Sequence, residues 1–308
     1  AYSRQLRRCR YVDPRSVRQL ADVPIRPTGL CMLPGGVLAI TSCATHSHGV
    51  KFVAARNDSD LQVLAACRAS SLATRPFSWP AGLALTNDGL LVCNCDEPST
   101  ALYKFAKNGS MDELATVPML ADYDLGFKKC AVHQQTQRTY ALGDGDEGTQ
   151  GLVLLDANLQ VVATVETIGD GPEDEDEDAY LPIRDVAVHG DQVIVLTGDN
   201  HPEGSGLRLL DLDGRFLRTI VAAQFRNPYA LAASHGRAFV VDDDVDDVVD
   251  DNKVLRVIDI QSGYILQSVR FELMGGAVPA ILVDGEEIYI ASYDAEEVVV
   301  LRFAGSEM

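Results

Sequence analysis

Residues Pro80-Ala-Gly-Leu-Ala-Leu85, followed by the turn Asn87-Asp-Gly89 and the apolar run Leu90-Leu-Val-Cys93, are the clearest copy of the unit that decides the fold. Two short apolar runs joined by a tight turn predict a β-hairpin. Two more strand-like runs follow, at Ala101–Phe105 and at Glu113–Val117. This stretch therefore predicts one four-stranded antiparallel sheet.

The unit recurs six times along the 308 residues. Successive copies start roughly 50 residues apart, which is a spacing typical of propeller blades. The second strand of each copy is the most regular one: Val37–Ile40, Leu90–Cys93, Thr139–Leu142, Val193–Leu196, Ala238–Val241 and Ile288–Ala291. Six such units predict an all-β fold, a six-bladed β-propeller of four-stranded antiparallel blades.

The sixth copy lacks a fourth strand, because only five residues follow Phe303. The N-terminal segment has unassigned strand character at Tyr2–Leu6 and at Arg8–Val12. An open ring would expose sheet edges, so we expect this segment to supply the missing outer strand and close the propeller.

A short helix is predicted between the closing strand and the first copy. Asp13-Pro14 has the pattern of an N-cap and a first helical residue, and Val17 and Leu20 would share one face. Residues 1–26 are then the closing strand and helix, and residues 27–308 are the propeller, with which the N-terminal strand forms one domain.

In these motifs the chain resembles the NHL-repeat propellers. Their repeat opens with Pro-x-Gly followed by apolar residues, as Pro80–Leu85 does, and continues into a strand similar to Ile288-Tyr-Ile-Ala-Ser-Tyr-Asp294. The resemblance covers almost the whole chain and implies the fold alone. NHL-like propellers include ubiquitin-ligase interaction domains, receptor domains, an amidating lyase and lactonase-like relatives, so fold does not settle function.

The net charge of −19 argues against nucleic acid as the main partner, and no apolar run approaches the length of a membrane span. Two segments carry most of this charge. One contains Glu166, Asp170, Glu173, Asp174, Glu175, Asp176, Glu177 and Asp178, and the other contains Asp242, Asp243, Asp244, Asp246, Asp247, Asp250 and Asp251.

Strand direction places both segments at the same end of the predicted propeller, on adjacent blades. We expect a protein partner, with a basic segment, to contact Glu173, Asp174, Glu175, Asp176, Glu177, Asp178, Asp242, Asp243, Asp244, Asp246 and Asp247. Loose capture of divalent cations and simple solvation of acidic loops are the alternatives. The Asp242 run departs from a calcium-binding EF-hand loop at Asp247 and Lys253, so we expect no metal site and no cofactor, with Ca²⁺ as the open alternative.

Residues near the starts of the first strands are expected to line the mouth of the central channel. They are Lys129, Arg184, Asp185, Asn227 and Tyr229. Converging cationic and hydroxyl groups are suited to a carboxylate or a phosphate, whereas an ion-paired, water-filled pore is the plainer interpretation.

No set of residues predicts catalysis. His133, His189 and His235 fall in turns at the opposite end, and Gly-x-Ser-x-Gly and phosphate-loop motifs are absent. The seven scattered cysteines favour buried, reduced thiols, and with no signal peptide visible they lean toward an intracellular protein.

The sequence thus favours a non-catalytic protein-interaction or scaffold propeller that binds through its loop-rich acidic face, as a subunit of an assembly or a domain of a longer chain. The alternative is a metal-dependent hydrolase or lyase with a site at the channel mouth, near Arg184, Asp185, Asn227 and Tyr229.

Overall fold

The computed structural model describes the chain in thirteen ranges. These are residues 12–19, 26–43, 49–54, 63–68, 80–95, 102–106, 113–117, 127–144, 150–165, 182–198, 205–243, 252–273 and 277–303. Within them no helix has the length and apolar character that crossing a bilayer would require.

The regular secondary structure of the described residues consists of β-strands. The first eight are β1 (Val12–Gln19), β2 (Pro27–Leu33), β3 (Val37–Ser42), β4 (Gly49–Ala54), β5 (Val63–Arg68), β6 (Pro80–Leu85), β7 (Gly89–Asn94) and β8 (Leu102–Ala106). The next eight are β9 (Glu113–Val117), β10 (Phe127–His133), β11 (Arg138–Asp144), β12 (Gln150–Leu155), β13 (Val161–Val165), β14 (Ile183–His189), β15 (Gln192–Thr197) and β16 (Gly206–Leu210). The last eight are β17 (Phe216–Ala222), β18 (Ala230–Ser234), β19 (Arg237–Asp243), β20 (Asn252–Asp259), β21 (Ile265–Glu272), β22 (Ala280–Asp284), β23 (Glu287–Ser292) and β24 (Glu297–Phe303).

These strands pair into antiparallel sheets of four. Five sheets follow chain order, namely β2 to β5, β6 to β9, β10 to β13, β14 to β17 and β18 to β21, and the remaining one has the order β1-β24-β23-β22. The second strands β3, β7, β15, β19 and β23 are almost entirely buried, as near-continuous apolar runs predict for strands covered on both faces. The all-β antiparallel class is therefore confirmed.

Hydrophobic clusters join each sheet to the next around a ring. The cluster that closes the ring packs Leu38 and Ile40 of β3 against Tyr289 of β23 and Val300 of β24. The first strand of each sheet contacts the first strands of its neighbours, so β2, β6, β10, β14, β18 and β22 surround the centre. This arrangement is a β-propeller.

The N-terminal residues do supply the outer strand of the last sheet. β1 pairs antiparallel with β24, and the register places Val12 opposite Phe303 and Gln19 opposite Val299. Val12 is only 1% exposed, and the side chain of Gln267, from the neighbouring sheet, bonds both its backbone N–H and its carbonyl at 2.9 and 3.0 Å. The strand is thereby fastened to two sheets.

The predicted short helix at Asp13-Pro14 is wrong, because these residues belong to β1. The register shifts between Asp13 and Arg18, and Pro14 lies within this irregular stretch, where a residue without an N–H interrupts no regular ladder. Pairing with the edge of β24 thus overrides a local N-cap pattern. The two segments with predicted strand character, Tyr2–Leu6 and Arg8–Val12, lie outside the described residues except for Val12, so the observed closing strand begins where the second of them ends.

Two glycines allow the inner strands to approach one another closely. A Cβ on Gly29 of β2 would lie 2.2 Å from the carbonyl oxygen of Ala81 in β6, and one on Gly82 would lie 2.8 Å from the carbonyl oxygen of Lys128 in β10. Gly82 occupies the glycine position of the Pro-x-Gly opening. The glycine is required there because backbone, rather than a movable side chain, fills the adjacent space.

Replacing Gly29 by Ala should therefore lower the free energy of unfolding by about 1–3 kcal/mol, as overpacking does elsewhere. Gly151→Ala is the matched control, since its Cβ would meet nothing nearer than Val165 O at 3.9 Å. Urea denaturation of both variants measures the difference. Equal stabilities would contradict this account of the inner strands.

Candidate functional site at the channel mouth

The starts of the first strands and the ends of the second strands lie at one end of the ring. Ile183 of β14 is opposite Thr197 at the end of β15, and Ala230 of β18 is opposite Val241 near the end of β19. Segment 166–181 enters β14 at this end, and segment 244–251 leaves β19 there. The sheets concerned are adjacent and share a hydrophobic cluster.

Most of the predicted partner-binding carboxylates lie outside the described residues. These are Glu173, Asp174, Glu175, Asp176, Glu177, Asp178, Asp244, Asp246 and Asp247. Their meeting in one negative patch stays a prediction, and the structure places only the ends of the segments that carry them.

Asp242 is not an exposed partner contact, and that interpretation of it was wrong. Its side chain is fully buried at the end of β19 and accepts hydrogen bonds from the backbone N–H groups of Arg226 (3.0 Å) and Asn227 (2.8 Å). The Arg256 guanidinium contacts it at 3.0 Å. Burial raises the pKa of Asp242, while these three donors oppose that rise. Asp242 therefore anchors the chain entering β18.

Asp243 is also engaged within the fold, although it is partly exposed. It contacts Lys253 Nζ at 2.5 Å and accepts hydrogen bonds from Tyr229 Oη and Asn227 Nδ2, both at 3.1 Å. The Lys253 ammonium lies 4.5 Å from the centroid of the Tyr229 ring. Burial alone would lower the pKa of Lys253, but the contacts with Asp243 and Tyr229 raise it overall.

Four of the predicted channel-mouth residues line one cavity of about 180 Å³: Lys129, Arg184, Asn227 and Tyr229. The remaining lining residues are Lys128, Leu142, Gly143, Ile183 and Pro228. They come from the sheets that contain β10, β14 and β18, because the starts of these first strands and the end of β11 meet there. The cavity combines cationic and apolar walls.

Asp185, the fifth predicted residue, is buried beside this cavity. It accepts hydrogen bonds from the N–H groups of Val186 and Leu231, both at 2.8 Å, and lies 3.4 Å from Lys129 Nζ. Burial raises the pKa of Asp185, and the charge of Lys129 is the main opposing influence. Lys129 also donates to the carbonyl of Pro279, next to β22. Asp185 and Lys129 thus tie four sheets together.

Neither histidines nor cysteines assemble a metal centre in the described part of the chain, where no group of three or more metal-ligating side chains occurs. His133 is buried and bonded to Thr136 Oγ1 at 2.7 Å, while His189 Nε2 accepts from the Gly236 N–H at 3.2 Å. Burial raises the pKa of the Cys31 thiol to about 12. The thiol of Cys31 is therefore protonated near neutral pH.

The sequence did not identify Lys253 or the Gly198 carbonyl as groups that hold the channel-mouth residues in place. Lys253 is the first base after the aspartate-rich run, which was a signal for a charge partner of Asp243. Gly198 accepts from Arg184 Nε at 2.6 Å through its carbonyl, and a backbone acceptor leaves no mark in sequence.

Comparison with known proteins finds similarity in fold alone. No protein-family model and no curated protein matches the chain. Among solved structures, a chain of a nidogen–laminin complex aligns with a TM-score of 0.55 at 10% identity, covering 80% of each chain. Hydrazine synthase of Kuenenia stuttgartiensis aligns at 0.58 with 16% identity, covering 92% of this chain and 97% of that chain. A Bacteroides thetaiotaomicron protein of unknown function aligns at 0.63 with 11% identity, covering 94% and 72%.

Proposed function

We propose that the protein is a six-bladed, NHL-like propeller that acts as a non-catalytic protein-interaction scaffold. We further propose that its partner docks through a basic segment on the acidic rim, the name used here for segments 166–181 and 244–251 together. The observation that carries this proposal is where the two acidic segments join the described strands. Both begin or end at the same end of adjacent sheets, although they are far apart in sequence.

The charge of these segments supports an electrostatic role. Residues 166–181 contain eight carboxylates and residues 244–251 contain five, and neither segment contains Lys or Arg. Such a surface attracts a basic partner and accelerates its association, and salt weakens both effects. Loops on a rigid scaffold are also the usual place for binding residues.

The channel mouth supports a non-catalytic interpretation. Asp185 and Asp243 are engaged with Lys129 and Lys253, and Asp242 is engaged with Arg256. Each of these carboxylates thus has a cationic partner within the fold. The similar chain from a nidogen–laminin complex is a propeller found in a protein assembly, which fits the same kind of role.

A test replaces Asp244, Asp246 and Asp247 by Asn and leaves the structural Asp242 and Asp243 intact. The probe is a fluorescent peptide of alternating Lys, Arg and Ser residues. We expect its dissociation constant to rise about tenfold, because three favourable charge interactions are removed. Fluorescence anisotropy at several salt concentrations measures both the affinity and its salt dependence.

The matched control neutralises three exposed carboxylates in turns at the opposite end, by Asp191→Asn, Asp213→Asn and Glu286→Gln. It should bind as tightly as the unmodified protein. An equal loss in both variants, or binding that salt does not weaken, would contradict docking on the rim. Adding Ca²⁺ in the same assay tests our further proposal that binding needs no resident metal, since a requirement for Ca²⁺ would overturn it.

A further inference from the structure

We propose that the cavity at the channel mouth binds a small molecule that carries an oxyanion group, either a carboxylate or a phosphate. Arg184 is the main residue that binds this group. This proposal does not depend on the proposed protein partner. It assigns a ligand to the cationic cavity within a chain of net charge −19.

Arg184 is positioned to receive an anion. Its Nε donates to the Gly198 carbonyl at 2.6 Å, which fixes the plane of the guanidinium. Within the described part of the chain, no carboxylate lies within ion-pair distance of it. A planar guanidinium with its outer nitrogens available matches the two oxygens of a carboxylate or phosphate.

The other charges around the cavity are largely balanced in pairs. Lys129 faces the buried Asp185, and Lys253 contacts Asp243 beyond the Tyr229 ring. Among the described residues Arg184 has no such carboxylate partner, and Lys128 is a further basic residue of the lining. An anion entering the cavity would gain these interactions without displacing an existing ion pair of Arg184.

Asn227 and Tyr229, which also line the cavity, are hydrogen-bonded within the fold. Asn227 Nδ2 donates to Tyr229 Oη at 2.9 Å and to Asp243 Oδ2 at 3.1 Å, and Tyr229 Oη donates to the same carboxylate oxygen. Their side chains are held in place by these hydrogen bonds. These two residues shape the cavity, while the basic residues of the lining supply the attraction for an anion.

The size and the remaining walls limit the ligand. A volume of about 180 Å³ is well above the roughly 10–15 Å³ that a single water needs, and it admits an oxyanion with a few carbon atoms. Leu142, Ile183 and Pro228 provide apolar surface beside the cations. The ligand class is thus a small organic acid or phosphate ester with a short apolar body.

Isothermal titration calorimetry at constant ionic strength tests this assignment, with inorganic phosphate and butyrate as the two probes. We expect saturable one-to-one binding of at least one probe, and whichever binds identifies the head group. Arg184→Gln should weaken binding at least about tenfold, and Arg184→Lys, which keeps the charge but loses the planar fork, should weaken it less.

The control is Arg218→Gln, because Arg218 also donates to backbone carbonyls, those of Ile260 and Gln261, but lies outside the cavity lining. It should bind the probes unchanged. Absence of saturable binding, or equal affinity in Arg184→Gln, would overturn the proposal. If Arg184→Gln does not fold, the exposed Lys128→Gln decides: about threefold weaker binding supports the site, and unchanged affinity contradicts it.

Discussion

Replacing Asp242 by Ala is expected to lower the free energy of unfolding by about 3–5 kcal/mol, the loss typical of breaking a buried charged pair from one side. In the unmodified protein the N–H groups of Arg226 and Asn227 and the Arg256 guanidinium all donate to the Asp242 carboxylate. The substitution leaves these buried donors without that acceptor. Urea denaturation, followed by tryptophan fluorescence or circular dichroism, measures the change.

Asp213→Ala is the appropriate control for this prediction. Asp213 also contacts an arginine, Arg138, at 2.6 Å, but its side chain is 59% exposed. Such surface pairs contribute about 0–1 kcal/mol, so this variant should remain close to the unmodified protein. If Asp242→Ala lowers the free energy of unfolding by less than about 1 kcal/mol, Asp242 contributes no more than a surface carboxylate and the prediction is wrong.

Removing residues 1–19 is expected to destabilise the protein by at least about 3 kcal/mol and to promote self-association. The deletion removes the buried Val12, whose burial alone contributes about 1.5–3 kcal/mol, together with the pairing between β1 and β24. It also uncovers β24 as a new edge, and exposed edges pair with other chains. Thermal melting and analytical ultracentrifugation measure the two effects.

A shorter deletion, of residues 1–11, separates the strand from the segment before it. This variant keeps Val12 and all of β1, so it should be clearly more stable than the protein lacking residues 1–19. If both deletions destabilise equally, β1 is not the part of the N-terminus that matters. If neither does, the outer strand contributes nothing to holding the last sheet.

The repeated strands were predictable because the signal is physical and occurs six times. Second strands such as Val193–Leu196 are apolar on both faces, and both faces are buried between neighbouring sheets. The helix at Asp13-Pro14 failed because a cap pattern is local, whereas the pairing partner of that segment, β24, lies nearly 300 residues away in sequence.

The site was predictable in its position but less so in its chemistry. The starts of first strands had to meet at the channel mouth, so Arg184, Asn227 and Tyr229 were found from strand direction. The burial of Asp242 could not be found in this way, because an aspartate-rich run looks uniformly solvated in sequence. Asp242 is buried because β19 extends to Asp243 and so includes the start of the aspartate-rich run.

Hydrogen–deuterium exchange of β24 is the most direct test of a ring closed by the N-terminal strand. In the intact protein, the β24 amides that face β1 should exchange about as slowly as those facing β23, because both sides are paired. In the protein lacking residues 1–19, the amides facing the missing strand should become fast and those facing β23 should stay slow. Fast exchange of the β1-facing amides already in the intact protein would contradict the closed ring.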